Sequence, residues 1–248
     1  LLKQRDGTTL YATRDLAAIF YRSATFGFDR AIYVVGSEQK LHFKQLLGVL
    51  RRMKRPEAER IEHVDFGLIL TLNPETKKWE KFATRGGNAI FLDEVLDEAV
   101  ANVRKIIAEK NPDLAGRDEI AEQIGVSAIV FNDLKNSRST DVKFDWDAML
   151  NFEGETGPYV QYAVARLSGI LRKSDVDLDA GAELCRDLDW NLLEDAGDVL
   201  LTMMDFGGTV ERAAEQSKPN AITGAMIQIA GSIHGYMRDH HVLRAEPE

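Results

Sequence analysis

Lys81, Thr84 and Arg85 fall within "EKFATRGGN", where cations and a hydroxyl run into the pair Gly86–Gly87. Glycines expose backbone N–H groups, and N–H groups beside cations are what a polyphosphate requires. A basic surface turn has the same composition, so this stretch alone supports either reading. "GSEQKLHF" (Gly36–Phe43) leaves the end of the apolar run "AIYVVG". Gly36 permits a close approach of backbone to ligand, and Gln39 and His42 follow near a helix start. In open α/β sheets, ligands bind beyond the carboxyl ends of strands. The plainer alternative is a strand-to-helix loop capped by Ser37 or Glu38. His63 opens the next apolar run, where a lone histidine is either structural or functional.

In "LYATRDLAAIFYR", Asp15 sits beside Arg14 where an apolar helix begins. With Thr13 as N-cap, Asp15 falls in the first turn and complements the positive end of the helix dipole. The alternative is a carboxylate with a second task in a binding site. "FEGETGPYVQYAVAR" crowds Gly, Pro and aromatic residues. Pro158 fits the first helical position, which sets Tyr159, Tyr162 and Arg166 on one face. Packing is the reading for Tyr162, while Tyr159 and Gln161 stay open to either use.

The elements that must hold these residues follow from periodicity. Leu16–Phe26 reads as a helix with Leu16, Ile19, Phe20 and Ala24 on one face. Ala31–Gly36 is a continuous apolar run that fits a buried parallel strand. Leu41–Met53 is helical through Leu46, Leu47, Leu50 and Met53, and His63–Leu72 is a second strand. "NPETKKW" is a turn. Helix and strand alternating in this way indicate a parallel α/β sheet. Only two clear strands precede the change, so the sheet is very small or the chain begins within one.

From Phe91 onward the pattern is helical. Leu92, Val95, Leu96, Ala99, Val103, Ile106 and Ile107 mark a long amphipathic helix. "NPDLAGRDE" is a loop, and Ile120–Asn136 is helical with a break near Gly125. Tyr159–Arg172, Trp190–Met204 and Ile222–Arg238 are further helices, with "SDVDLDAGAELCRD" an acidic linker between the first two. The expected division is 1–90 for the α/β portion, 91–155 for a helical connecting region, and 156–248 for a helical bundle.

Composition limits the function classes. Of 248 residues, 44% are hydrophobic and 29% charged, a soluble globular balance. No apolar run reaches membrane-spanning length and no signal peptide is visible. The one cysteine, Cys185, excludes a disulfide framework and a Cys-based zinc site within the chain. A reducing compartment is the simplest setting. The net charge of -9 disfavours a non-specific nucleic-acid coat. Charge is uneven, however, with "RRMKR" and "KKWEK" basic and "DEVLDEA" acidic, and local patches set the field at a site. A shaped RNA surface remains compatible.

"DGTTLYATRDLAA", "FDRAIYVVGSEQKLHFKQL", "HVDFGLIL", "KFATRGGN" and "FDWDAMLNFEGETGPYVQYAVAR" occur in that order. Together they resemble the arginyl-tRNA synthetase family of class I aminoacyl-tRNA synthetases, from Asp6 to Lys173. The first and last of these motifs are specific to that family within class I. The resemblance implies the second half of a Rossmann-like catalytic domain, a stem-contact-like helical region, and a truncated helical anticodon-binding domain. It implies that ATP and arginine form arginyl-adenylate and pyrophosphate, with tRNA(Arg) bound and magnesium accompanying ATP. The arginyl group then passes to the terminal ribose of the tRNA. A cytoplasmic enzyme, monomeric at full length and without membrane contact, goes with it.

By the same resemblance, Tyr11, Asp15 and Gln39 recognise the arginine side chain. His42, His63, Phe66, Gly67, Lys81, Thr84 and Arg85 meet ATP, with Lys81 and Arg85 acting in catalysis. Tyr159, Gln161 and Arg166 meet tRNA. The phosphate loop departs from the family pattern. Phe82 stands where methionine is common, Ala83 where serine is frequent, and Gly86 where a second cation is frequent. The family's His-x-Gly-His tetrapeptide is absent from these residues. The expectation is therefore a fragment of a longer enzyme, inactive alone. The competing expectation is a catalytically inactive relative that binds RNA or a protein.

Overall fold

A computed structural model describes residues 5–73, 75–81, 91–151, 154–174, 186 and 190–243. The chain forms two compact units, residues 1–70 with 138–142, and residues 71–137 with 143–248. Among the described residues, no helix is long and apolar enough to cross a membrane.

In the first unit, α1 (Tyr11–Phe26) precedes β1 (Ala31–Gly36). A 3-10 turn, Ser37–Gln39, leads into α2 (Lys40–Arg52), and a second, Pro56–Glu59, leads into β2 (Ile61–Phe66). β1 and β2 pair in parallel, from Ala31 opposite Ile61 to Gly36 opposite Phe66. A parallel pair needs a crossover, and α2 supplies it. Leu16 and Ile19 of α1 meet Phe43, Leu46 and Leu50 of α2, with Ala58 and Ile61 completing the core. Ala24 and Met53, expected on the apolar faces, are exposed. β1 is parallel as expected but not the buried strand its apolar run suggested: among the described residues one face is uncovered, with Ile32 and Val34 exposed.

Two boundaries also change here. Thr13 is not the N-cap: its N–H donates to the Leu10 carbonyl at 3.0 Å, so the helix starts about a turn earlier. Asp15 is then the fifth helical residue, beyond the reach of a first-turn dipole effect. The expected strand His63–Leu72 is two strands. β3 (Ile69–Leu72) belongs to a separate sheet of order β4-β3-β5, with β4 Trp79–Lys81 and β5 Val142–Lys143. The break is at Gly67, whose N–H donates to the Arg138 carbonyl at 2.7 Å. A Cβ at Gly67 would stand 2.4 Å from the Thr140 carbonyl oxygen, so only glycine fits. A segment seventy residues downstream sets this break, and local pattern carries no trace of it.

In the second unit, α3 (Leu92–Lys110) packs on α4 (Arg117–Lys135) through Val103, Ile107, Ala121 and Ala128. α4 starts within the expected loop and runs unbroken through Gly125. That glycine is a contact point rather than a break: a Cβ there would lie 2.8 Å from the Val100 nitrogen. α5 (Trp146–Met149) is capped by the Asp145 carboxylate, which accepts from Ala148 N–H at 3.1 Å. α6 (Gly157–Ser174) follows. Trp190–Ala196 is 3-10 rather than α, and α7 is Gly197–Met204. α8 (Phe206–Gln216) had no sequence expectation, although Phe206, Val210, Ala213 and Ala214 recur at helical spacing; Ala213 is its one buried residue. α9 (Asn220–Asp239) buries Thr223, Ala230 and Met237. Nearly all of the acidic linker, with Cys185, lies outside the described residues.

Candidate active site

The residues after β1 are held from below by β2. Ser37 Oγ lies 2.8 Å from Asp65 Oδ2 and 2.9 Å from the Phe66 carbonyl, either of which can accept its proton. Ser37 therefore ties the turn to β2 instead of capping α2, whose N-cap position, Gln39, makes no side-chain cap. Lys40 Nζ stands 2.8 Å from Asp65 Oδ2. Arg138 Nη1 donates to Asp65 Oδ1 at 3.0 Å and to the Asp65 carbonyl at 2.7 Å. The Asp65 side chain is 13% exposed. Burial pushes its carboxyl upward, but hydrogen bonds from Lys40, Ser37 and Arg138 together outweigh this and hold it well below the usual carboxylate range. Asp65 stays ionised and fixes the Ser37–Lys40 turn, which carries Gln39.

Asp15 and Tyr11 lie one helical turn apart on α1, on the side that meets α2. Asp15 Oδ2 is 2.7 Å from His42 Nε2, and the Tyr11 ring meets the imidazole edge-on at 5.5 Å. His42 also meets Phe43 edge-on at 5.6 Å. Tyr11 is exposed, while the Asp15 and His42 side chains are about one-third and one-fifth exposed. Gln39 is half-buried, three residues before His42.

His63 is directed into the same packing. It stacks on Phe43 at 4.3 Å, and its Nε2 donates to the Val35 carbonyl at 3.0 Å. Phe66 is exposed at the strand end, and Gly67 is the tight crossing beside Thr140. At Gly36, an added Cβ would meet only the Phe66 ring, at 4.0 Å, so the space above that glycine is open. Lys81 ends β4 and is exposed. Thr84 and Arg85 lie outside the described residues, as do Phe82, Ala83 and Gly86.

The residues expected to meet tRNA share α6. Tyr159 packs on His234 of α9 at 4.7 Å, and His234 Nε2 donates to the Tyr159 carbonyl at 3.3 Å. Tyr162 stacks on the same imidazole at 5.4 Å yet stays half exposed, with the Arg166 guanidinium 5.8 Å from its ring centre. Gln161 Nε2 donates to Ser127 Oγ at 2.8 Å. Its buried Oε1 has no hydrogen-bond partner among the described residues.

Sequence reasoning missed Asp65, Lys40 and Arg138. A carboxylate inside the apolar run "HVDFG" was a legible signal, because such a group must be paired when buried. Arg138 gave none, since it lies in a loop far along the chain.

The class I (R) tRNA synthetase catalytic-domain family model matches residues 1–146, and the DALR anticodon binding domain matches residues 160–248. The chain is 42% identical over 248 residues to an arginine–tRNA ligase of Exiguobacterium sibiricum, covering all of this chain and 42% of that protein. It is 43% identical over 249 residues to one of Pediococcus pentosaceus, with the same coverage. The chain thus spans about two-fifths of the length of the curated relatives it matches. Among solved structures, the arginyl-tRNA synthetase of Thermus thermophilus superposes with a TM-score of 0.79 at 26% identity, over all of this chain and 43% of that one. The Plasmodium falciparum arginyl-tRNA synthetase gives 0.78 at 22% identity, over 98% of this chain and 40% of that one, a likeness of fold. The expected fold class, an α/β catalytic portion followed by a helical anticodon-binding bundle, agrees with these matches. The chain belongs to the class I (R) tRNA synthetase family, with catalytic-domain sequence over residues 1–146 and a DALR anticodon binding domain over 160–248.

Proposed function

We propose that this chain serves an arginine–tRNA ligase, which activates L-arginine with ATP and transfers it to tRNA(Arg). The observation that carries this reading is the carboxylate of Asp15, held beside Tyr11 and the turn that bears Gln39. A guanidinium is planar, permanently charged and rich in donors, so it selects an anion flanked by neutral acceptors. Asp15 supplies the anion, and Tyr11 and Gln39 each supply an oxygen. The relatives' names support the same substrate.

In the first step, an oxygen of the arginine carboxylate attacks the α-phosphate of ATP, and pyrophosphate leaves. Lys81 and Arg85 offset the charge that accumulates on the departing phosphates. His63, Phe66, Gly67 and Thr84 belong to the nucleotide side of the site. In the second step, a hydroxyl of the terminal tRNA ribose attacks the carbonyl carbon, and AMP leaves. Among the described residues, no group of three or more His, Cys, Asp or Glu side chains is placed to hold a metal. Magnesium accompanying ATP would take its ligands from phosphate oxygens and water, as it commonly does. Tyr159, Gln161 and Arg166 meet tRNA on the helical side. The enzyme would act in the cytoplasm, as a monomer at full length.

The test is ATP–pyrophosphate exchange by the intact gene product that carries this chain, offered each amino acid with and without tRNA(Arg). The reading predicts exchange with arginine alone, and only with tRNA present. Binding of tRNA without exchange would instead assign a non-catalytic binding module.

A further inference from the structure

We infer that His42 is a positioning residue for the arginine site, fixing the Asp15 carboxylate through Nε2, rather than a contact for ATP. This rests on the reading of Asp15 as the guanidinium partner. Asp15 Oδ2 and His42 Nε2 are 2.7 Å apart, and the imidazole is held edge-on by Tyr11 at 5.5 Å and by Phe43 at 5.6 Å. Phe43 is itself buried and stacked on His63 at 4.3 Å, so the support of His42 is anchored in the core.

An unpinned aspartate on a partly exposed helix face samples several rotamers, and a ligand must select one of them. A hydrogen bond to one carboxylate oxygen removes that freedom before arginine arrives. It leaves Oδ1 for a guanidinium N–H, and the fixed plane of the carboxylate suits the planar fork of the ligand. Nε2 as donor requires a neutral or charged imidazole with a proton on that nitrogen. The neutral form serves best, because the pair then keeps its full negative charge for the ligand. Contact with a phosphate through the same nitrogen would mean surrendering Asp15. At Nε2 the two assignments therefore exclude each other in a single bound state.

The experiment is steady-state pyrophosphate exchange by the intact gene product, with arginine and ATP varied separately. His42→Ala should raise the arginine KM roughly tenfold, the scale of one hydrogen bond to a charged group. The ATP KM should stay within about twofold. His42→Gln, whose amide nitrogen can reach the place of Nε2, should restore most of the arginine KM, while the shorter His42→Asn should not. The double variant Asp15→Asn/His42→Ala should be no worse than Asp15→Asn alone, since both act through one contact. A raised ATP KM with arginine KM unchanged overturns the inference, as does equal damage from Gln, Asn and Ala. If Asp15→Asn leaves the arginine KM unaltered, the underlying reading of Asp15 fails first. If Asp15→Asn raises it and His42→Ala does not, only the present inference fails.

Discussion

The two units fix their decisive contacts by opposite means. In the α/β unit, one nearly buried carboxylate gathers Ser37, Lys40 and Arg138, and a second is held by His42. In the helical unit, α3 and α4 meet through an absence of side chain at Gly125, flanked by Ala121 and Ala128. Ion pairs in that unit, such as Arg104–Asp118 and Arg212–Asp205, are more than half exposed. Exposed pairs of this kind contribute little to stability. Charge is drawn inward in the α/β unit, at Asp65 and also at Glu57, which pairs with Arg55, and is left at the surface in the helical pairs named above.

The largest effect is expected from filling the helical contact. Gly125→Val puts carbon where the Val100 backbone stands, 2.8 Å from its nitrogen, so the helices must separate. The expected loss is about 3 kcal/mol, the upper end for overpacking. Thermal or urea unfolding measures it, and a loss near zero would mean the helices are not held at this spacing.

Removing the central charge of the α/β unit should cost less. Asp65→Asn leaves Lys40 and Arg138 without their anion, and the expected loss is about 2 kcal/mol. That falls below the range for fully buried pairs because Lys40 is exposed. The Asp65 pKa is lowered in the folded chain, so its contribution is fully present above the unfolded aspartate value of roughly 4 and fades as pH falls through the lowered value. Urea midpoints of the parent and Asp65→Asn chains should therefore differ at neutral pH and converge only in strong acid. A gap independent of pH would show that Asp65 acts through shape and not through charge.

Lys81→Ala tests the proposed phosphate contact. A single lost phosphate contact should slow adenylate formation about tenfold, ~1.4 kcal/mol, with the fold intact by circular dichroism. Unchanged single-turnover activation would remove Lys81 from the chemistry. On the helical side the effect is smaller. Arg166→Gln should weaken tRNA binding less than about tenfold and flatten its salt slope by about one. A slope that does not move would place Arg166 away from phosphate.

The legible part of this molecule was whatever follows from local period. β1 was readable to the residue, because an unbroken apolar run ending in glycine has few other uses, and α2 and α3 were readable to within a few residues. What escaped was set from a distance. Gly67 splits the second strand because segment 138–142 approaches it, and no local pattern announces that approach. Gly125 looked like a helix break because intrinsic propensity opposes glycine, but the partner helix requires its lack of a side chain. The candidate site divides in the same way. Asp15 had an ordinary local reading at the start of a helix and gained a site role only from the family resemblance, whereas its pairing with His42, twenty-seven residues on, needed α1 and α2 to be packed together.

If Asp15 is the guanidinium partner, its charge reads the charge of the substrate. Citrulline matches arginine closely in shape but carries a neutral ureido group, so the ratio of kcat/KM for arginine over citrulline in pyrophosphate exchange isolates that charge. The intact gene product should favour arginine by at least about a thousandfold, as sites built around a polar substrate group do. In Asp15→Asn the ratio should collapse toward unity, through loss on arginine, with the ATP KM little changed. A ratio that survives the substitution would show that another group reads the guanidinium and that Asp15 does not.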